Sequence, residues 1–470
     1  MVKIGLFGIG LDTYWIQFDG LLDRLNSYQQ EIKVEMENYG ATVVDAGMVD
    51  TVAKAREAGE LLNKNGVDLV FLYVSTYALS STVLPVIQRV HAPIVILNLQ
   101  PVAAIDYKKF NALSDRGEMT GEWLAHCQAC SVPEIANVFN RSGIRYHFVT
   151  GYLSDKQAWN EIHEWIDAAK VARTMKENNL GVLGNYYGGM LDVYTDLTQQ
   201  SAVFGNHIDL IEMCELGGLR AEVTREEIEE KIIEFYKHFE VVPECTRDEI
   251  ERAAKTSVAL DKLVTSHQLG SLAYYYESQP GNEYENIVTS VIAGNTLLTG
   301  RHIPVAGECE VKNAQAMKIM DAFGVGGSFS EFYAMDFNDD IVMLGHDGPA
   351  HSEIAEGKVK LVPLSVYHGK PGKGLSIQMT VKHGSVTLLS VVQGKDDVFL
   401  LVAEGASVPG PILEIGNTNS RYRFKIGAKR FINEWSKQGP AHHCAIGVGH
   451  IAEKIKKLAL LLNIEVVQIS

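Results

Sequence analysis

Residues 3–100 alternate short, continuous apolar runs with long amphipathic stretches, and few folds accommodate that rhythm. "KIGLFGI" is the first apolar run. "FDGLLDRLNSYQQEIKVEMENYG" follows with helical periodicity and is closed by Gly40, whose freedom to adopt positive φ suits the end of a helix. "ATVVDAG", "TVAKAREAGELLNKNG" and "VDLVFLYV" repeat the strand, helix, strand order, and "TVLPVIQRV" with "APIVILNL" repeats it again. A strand that is apolar at successive residues must be covered on both faces. Amphipathic helices between such strands supply the cover, so the pattern predicts a parallel, doubly wound sheet. Ligands of such sheets bind beyond the carboxyl ends of the strands.

The pattern restarts after residue 172. "NLGVLGNYYGGM" reads as a strand with a glycine-rich exit, and "REEIEEKIIEFYKHFE" and "RDEIERAAKTSVALDKLVTSH" as long amphipathic helices. From about residue 355 the texture changes to short alternating strands, "KVKLVPLSVYH", "LSIQMTVKHGSVTLLSVVQG", "DVFLLVAEG" and "RYRFKIG", with turn glycines between them. These predict an antiparallel sheet or barrel. "AEKIKKLALLLNIEVVQI" closes the chain as a helix and a strand. The expected fold is α/β: two doubly wound, Rossmann-like domains over 1–172 and 173–324, then a β-rich, barrel-like domain over 325–470 with a terminal helix.

Charge and cysteine usage narrow the partners. A formal net charge of −16 argues against nucleic acid and anionic membrane, since both require a basic surface. "MVKIGLFGIGLDTYW" reads as a first strand rather than a secretory signal, and no apolar run reaches the length of a membrane span, so the expected location is cytoplasmic. The six cysteines (127, 130, 214, 245, 309, 444) form no disulfide framework in a chain of 470 residues. "CQAC" at 127–130 lacks the second pair a structural zinc site needs, and it lies too deep in the domain for a thioredoxin-like motif. It reads as two cysteines at a helix start or packed in a subunit contact. The glycines of "GLFGIG" are spaced G-x-x-G-x-G, not G-x-G-x-x-G, so a tight turn after the first strand is expected there, without nicotinamide.

Chemistry gathers in two places. Within 301–351, Glu308 precedes a helix starting near Val311, Glu331 sits among Phe329, Phe332 and Tyr333, and His346 follows the apolar run "DIVMLG". All three are expected at the ends of elements, where sites on α/β scaffolds are built. "GPAHHCAIGVGH" at 439–450 then places His442, His443 and His450 in a glycine-spaced apolar stretch. Buried imidazoles and carboxylates are costly unless bonded or coordinated. Two carboxylates with two imidazoles and no thiolate suit Mn²⁺, Co²⁺ or Mg²⁺ better than zinc. Taken singly, each residue also fits an ordinary role: carboxylates that cap helices or pair with lysines, and satisfied core histidines.

These stretches carry a family resemblance. "AGECEVKNAQAMKIM", "GGSFSEFYAMDF", "DIVMLGHDGPAHSEIA" and "GPAHHCAIGVGH" resemble, in this order, the metal-site segments of L-arabinose isomerases. "FVTGYLSDKQAWNEIHEWIDAA" at 148–169 is similar to the segment leading out of that family's first domain. The resemblance spans nearly the whole chain and is loosest at the amino terminus. The broader group includes L-fucose isomerases. It implies a ketol-isomerase that moves a proton between C2 and C1 of an open-chain aldose, through an enediolate stabilised by a divalent metal, manganese first, with cobalt or magnesium as substitutes. Residue by residue, it implies Glu308, Glu331, His346 and His443 as metal ligands and Glu308 and Glu331 as acid/base groups. His442 would orient the last ligand or touch substrate. His450 has no family role and is read as a cap of the last helix, and His351 is the fallback ligand. The resemblance also implies a homo-oligomer, hexamer or tetramer, with sites near subunit contacts.

One segment departs from the family. Where a histidine and an arginine-bearing stretch reach into a neighbouring subunit's site, this chain reads "AHCQACSVPEIANVF". Glu134 pairs with the family's glutamate, Cys130 stands in the histidine's place, and His126 is the candidate substitute for binding sugar. The substrate therefore stays open among L-arabinose, L-fucose-like sugars and acidic or sulfonated hexoses. A non-catalytic sugar-binding protein is the rival from another class, and a nicotinamide-linked dehydrogenase is disfavoured by the glycine spacing.

Overall fold

The continuous apolar runs of the amino-terminal third become the central strands of a parallel sheet. In the computed structural model, which describes residues 2–277, 281–365 and 372–470, the chain divides into two compact units, 1–173 and 174–470. In the first, β1 (Lys3–Ile9), β2 (Thr42–Val49), β3 (Leu69–Val74), β4 (Ile94–Gln100) and β5 (Tyr146–Tyr152) lie in the order β2-β1-β3-β4-β5, every pair parallel. The central strands β1 and β3 are buried almost throughout, while β2 and β5 at the edges are mostly half-buried. Position in the sheet thus follows the hydrophobicity of each run.

The helix Leu21–Asn38 buries Leu21, Leu25, Gln29, Ile32 and Met36, a single stripe at helical spacing. It ends as its sequence indicates. Gly40 takes φ 95°, its N–H reaches the Glu37 carbonyl, and the Ala41 N–H reaches that of Met36. The glycines of "GLFGIG" do not form the expected turn, because Gly5 and Gly8 lie inside β1. A Cβ on Gly8 would stand 2.2 Å from Gln29 Oε1, so the glycine lets the helix approach the strand.

The second unit contains β6 (Asn179–Gly184), β7 (His207–Ile211), β8 (Glu240–Val241), β9 (Ser271–Tyr275), β10 (Val305–Ala306), β11 (Gly326–Asp336) and β12 (Ile341–His346). It continues with β13 (Lys360–Leu364), β14 (Gly374–Gln378), β15 (Gly384–Gln393), β16 (Val398–Val408), β17 (Thr418–Arg423), β18 (His443–Val448) and β19 (Glu465–Ile469). A parallel sheet runs β10-β9-β6-β7. The strands β15-β18-β11-β12-β17-β16 are antiparallel and close on themselves through the β15–β16 pairing, which makes a six-stranded barrel, with β19 added parallel to β16. A small third sheet joins β14, β13 and β8. The strand read through "KVKLVPLSVYH" is β13, and residues 366–368 of that reading lie outside the described residues.

The helix Val311–Ala322 packs against β9 and β10 on one side and against β11, β15 and β18 on the other. It is buried all round although it carries Lys312, Asn313, Gln315 and Lys318. Its two lysines reach backbone carbonyls, Lys312 Nζ that of Asp192 at 2.8 Å and Lys318 Nζ that of His302 at 2.8 Å. Among the described residues no helix is long and apolar enough to cross a membrane.

Gly184 ends β6 at φ 89°, and a Cβ there would lie 2.1 Å from the Tyr275 carbonyl oxygen. Gly184→Ala should therefore lower stability by at least about 1–3 kcal/mol, and a denaturation curve matching wild type would contradict that packing. Thr224→Ala, which removes one half of a capping box on the helix Arg225–His238, should cost only about 1 kcal/mol.

Candidate active site

The parallel sheet and the barrel each deliver part of one cluster. The chain leaves β10 through Gly307 and places Glu308 and Cys309 at φ 56° and 58°, a left-handed conformation that costs side-chain-bearing residues roughly 1–3 kcal/mol each. The turn is held by the buried Cys309, whose N–H donates to the Tyr274 carbonyl at 3.0 Å. Gly307 permits a close approach, since a Cβ would lie 3.3 Å from Phe329 and 3.6 Å from His346. Glu310 then sits at the N-cap of the helix Val311–Ala322. The strained turn aims two carboxylates at one imidazole: Glu308 Oε2 lies 3.5 Å from His443 Nε2, and Glu310 Oε2 lies 2.6 Å from His443 Nδ1.

Strand register supplies the rest. Glu331 on β11 stands opposite His443 on β18 and opposite Gly345 on β12, one residue before His346. The Phe329 ring packs 4.5 Å from the His346 ring and 4.2 Å from that of His443, centroid to centroid, filling the space behind both. Ligand atoms of Glu308, His346 and His443 lie within 4.8 Å of one another, and so do those of Glu331, His442 and His443. His443 belongs to both groups.

The electrostatics are specific. The carboxylate of Glu310 accepts the Nδ1 proton of His443, so in the neutral ring Nε2 carries the lone pair. That nitrogen is buried with no hydrogen-bond partner, and it faces Glu308 Oε2 at 3.5 Å. Two acceptors so placed repel unless a proton or a cation lies between them. The donor set of carboxylate oxygens and imidazole nitrogens, oriented by a carboxylate behind one ring, fits a divalent ion.

His442 is held from outside the barrel. Asp192 Oδ2 accepts from its Nδ1 at 2.6 Å and from its backbone N–H at 3.0 Å, while its Nε2 faces Glu308 at 3.5 Å and Glu331 at 4.0 Å. Burial works against its charge, but Glu308 and Asp192 prevail and push its pKa up to about 9. Burial likewise works against the Glu308 carboxylate, and the neighbouring His442, His443 and His346 hold its pKa below the ordinary value. Glu308, Glu331, His346, Asp347 and His442 line a cavity of about 170 Å³ together with Tyr187, Tyr274, Tyr275, Met190, Val288 and Ile292. Carboxylates and imidazoles beside tyrosines suit a small polyol, which has hydroxyls on its edges and C–H groups on its faces.

The structure thus brings Glu308, Glu331, His346, His442 and His443 together. Glu331 differs from expectation in lying inside β11, half-buried and followed by a register shift after Phe332, rather than at an element end. His351 is not in the cluster. It is buried beside Asp321, with Nε2 3.6 Å from the carboxylate. His450 does not cap the last helix, because its Nε2 donates to the Gly405 carbonyl at 2.9 Å, while Glu404 accepts the N–H of Ala452. His126 lies in the first unit, where its Nδ1 is 3.0 Å from the Glu122 carbonyl oxygen. Glu134, in the same unit, accepts the N–H of Ser80 at the start of the helix Ser80–Ile87. Sequence reasoning missed Asp192, Glu310 and the three tyrosines. The glycine-rich exit after β6 was the one available signal for Asp192.

Comparison with known proteins gives two findings and one likeness without weight. Residues 326–465, which span the barrel, match the L-arabinose isomerase C-terminal domain. The chain is 20% identical over 342 residues to a sulfoquinovose isomerase of Alkalicoccus urumqiensis, covering 71% of this chain and 74% of that protein. A periplasmic solute-binding protein of an ABC transporter from Actinobacillus succinogenes 130z, solved with bound D-allose, is 12% identical and covers 65% of this chain and 78% of its own, but its TM-score of 0.17 carries no argument.

The Asp192–His442 contact gives a test in the metal-free protein. His442 keeps its proton through neutral pH because two carboxylates favour the imidazolium, so its contribution to stability is full below the ordinary histidine pKa and is lost as pH rises through about 9. Asp192→Asn should move its titration downward, toward the ordinary value. Imidazole NMR shifts followed across pH would show it, and an unmoved titration would remove Asp192 from this role.

Proposed function

We propose that the chain is an arabinose isomerase-like sugar isomerase and, more finely, a metal-dependent aldose–ketose isomerase. The observation that carries the reading is the buried, unbonded His443 Nε2 turned toward Glu308 Oε2 at 3.5 Å, beside Glu331 and His346. These four residues would hold the ion. A divalent ion there supplies Lewis-acid stabilisation of the charge that develops on the sugar's O1 and O2 when the C2 proton leaves.

The chain's own residues do the remaining work. Glu308 and Glu331 carry the proton between C2 and C1, one accepting as the other donates, and His442 sits within 4.0 Å of both to bias which of them is ionised. Asp192 keeps the His442 ring in place. Glu310 keeps the tautomer of His443 that leaves Nε2 free to ligate. The tyrosines pack against the sugar's C–H faces and exclude water. The name of the relative puts a sulfonated hexose at the head of the substrate panel, with L-arabinose and L-fucose beside it.

Ketose formation from that panel, with no nicotinamide present, tests the reading. A chelator should abolish turnover, and Mn²⁺ or Co²⁺ should restore it. Full activity in a stringently metal-free sample would defeat the proposal. Glu308→Gln and Glu331→Gln should each lower turnover by at least about 10²–10⁴, whereas Glu310→Gln should weaken metal binding about 10–100-fold, read by calorimetry. Near-wild-type turnover in either of the first two variants would remove the acid/base roles.

A further inference from the structure

The C-x-x-C motif of the first unit plays no part in the cluster described above. Cys127 is the N-cap of the helix Gln128–Arg141, and Cys130 stands one turn further on. Their Sγ atoms lie 2.6 Å apart, inside the ordinary contact distance of two thiols and not far above the S–S bond length of about 2.05 Å. Cys127 is buried and Cys130 is exposed.

The surroundings fix this approach. Gln128 donates to the carbonyls of Ser75 and Ala125, both at 2.9 Å, and Thr76 Oγ1 donates to the Leu124 carbonyl at 2.8 Å. Ser131 Oγ accepts the N–H of Ala78 at 2.8 Å. Two of these buried bonds, Gln128 to Ser75 and Ala78 to Ser131, clamp the helix start onto the segment that follows β3.

We propose that Cys127 and Cys130 form a reversible thiol–disulfide site that exchanges with small-molecule disulfides. The Cys130 thiolate attacks one sulfur of the incoming disulfide, a Cys130–S–S–R bond forms, and the first thiolate R–S⁻ leaves. Cys127, after losing its proton to solvent, attacks Cys130 Sγ and expels the second R–S⁻. Both thiolates take up protons, so two protein thiols are oxidised to one disulfide as the small disulfide is reduced to two thiols. The roles follow from access: burial pushes the Cys127 thiol up to about 12, which suits it to close the ring rather than to start the reaction. The two cysteines stand at a helix start, as the sequence indicates; the exchange site goes beyond that reading and does not rest on the isomerase assignment.

The reduced, folded full-length chain, incubated with oxidised glutathione and mapped by peptide mass spectrometry, tests it. The expected product is an internal Cys127–Cys130 disulfide, with loss of both thiols and full recovery in dithiothreitol. Cys127→Ser should instead trap glutathione on Cys130, and Cys130→Ser should abolish the reaction at both positions. A wild-type chain that stops at the mixed disulfide on Cys130 would overturn the proposal. So would one whose pair stays reduced while the exposed Cys214 reacts. Wild-type mapping decides the matter even if a serine variant fails to fold.

Discussion

The hydrogen bond between Glu310 and His443 joins the two halves of the second unit at the site. It links the N-cap of a helix that packs on the parallel sheet to the first residue of a barrel strand, across 133 positions of sequence. Both side chains are almost wholly buried, with 2% and 0% of their surfaces exposed. Either group alone would be an unpaired polar group in a low-dielectric interior, which is costly. Together they are satisfied on one side of the imidazole, and the unsatisfied side is turned toward Glu308. The bond that stabilises the junction is therefore the same one that leaves the Nε2 lone pair of His443 turned toward the cluster.

The strained turn at Glu308 and Cys309 follows from that junction. A left-handed pair of non-glycine residues persists only where surrounding structure over-determines it. Here the Cys309 N–H is bound to Tyr274 at the end region of β9, and the following helix is buried on every side. Phe329 and His346 close on Gly307 from the barrel side, where even a Cβ would lie only 3.3 Å from the Phe329 ring, so the turn has little room to relax.

How much of this was legible in the chain depends on the range of the interactions involved. Parallel sheets were legible because burial on both faces imprints itself locally, residue after residue, in β1 and β3. The end of the first long helix was legible because Gly40 adopts a conformation that other residues avoid. Glu308, Glu331, His346, His442 and His443 were legible through the ordered resemblance of their segments, and the structure gathers those same residues. Glu310 was not. An acidic residue at a helix start is an ordinary electrostatic choice, and nothing near it in sequence announces His443. The helix it opens was read without its burial, because Lys312 and Lys318 look like solvent-facing residues until their carbonyl partners are seen. Asp192 meets His442 across 250 positions, and His351 finds Asp321 rather than the cluster, both through tertiary contacts with no local trace.

The placement of the cluster also explains why a parallel sheet and a barrel occur together. In open α/β sheets, side chains for ligand binding come from the loops beyond the carboxyl ends of the strands. Three strands of the second sheet obey that rule at once: β6 leads to Tyr187, Met190 and Asp192, β9 ends on Tyr274 and Tyr275, and β10 runs through Gly307 into Glu308. Loops alone hold side chains loosely, and a site built on regular elements is placed more precisely. The barrel adds Glu331, His346 and His443 from hydrogen-bonded strands, whose register fixes them against each other before any ligand arrives. Glu308 and Glu331 consequently come from two different scaffolds that meet at His443. A substitution that shifts the helix Val311–Ala322 against the barrel would separate the two carboxylates without touching either.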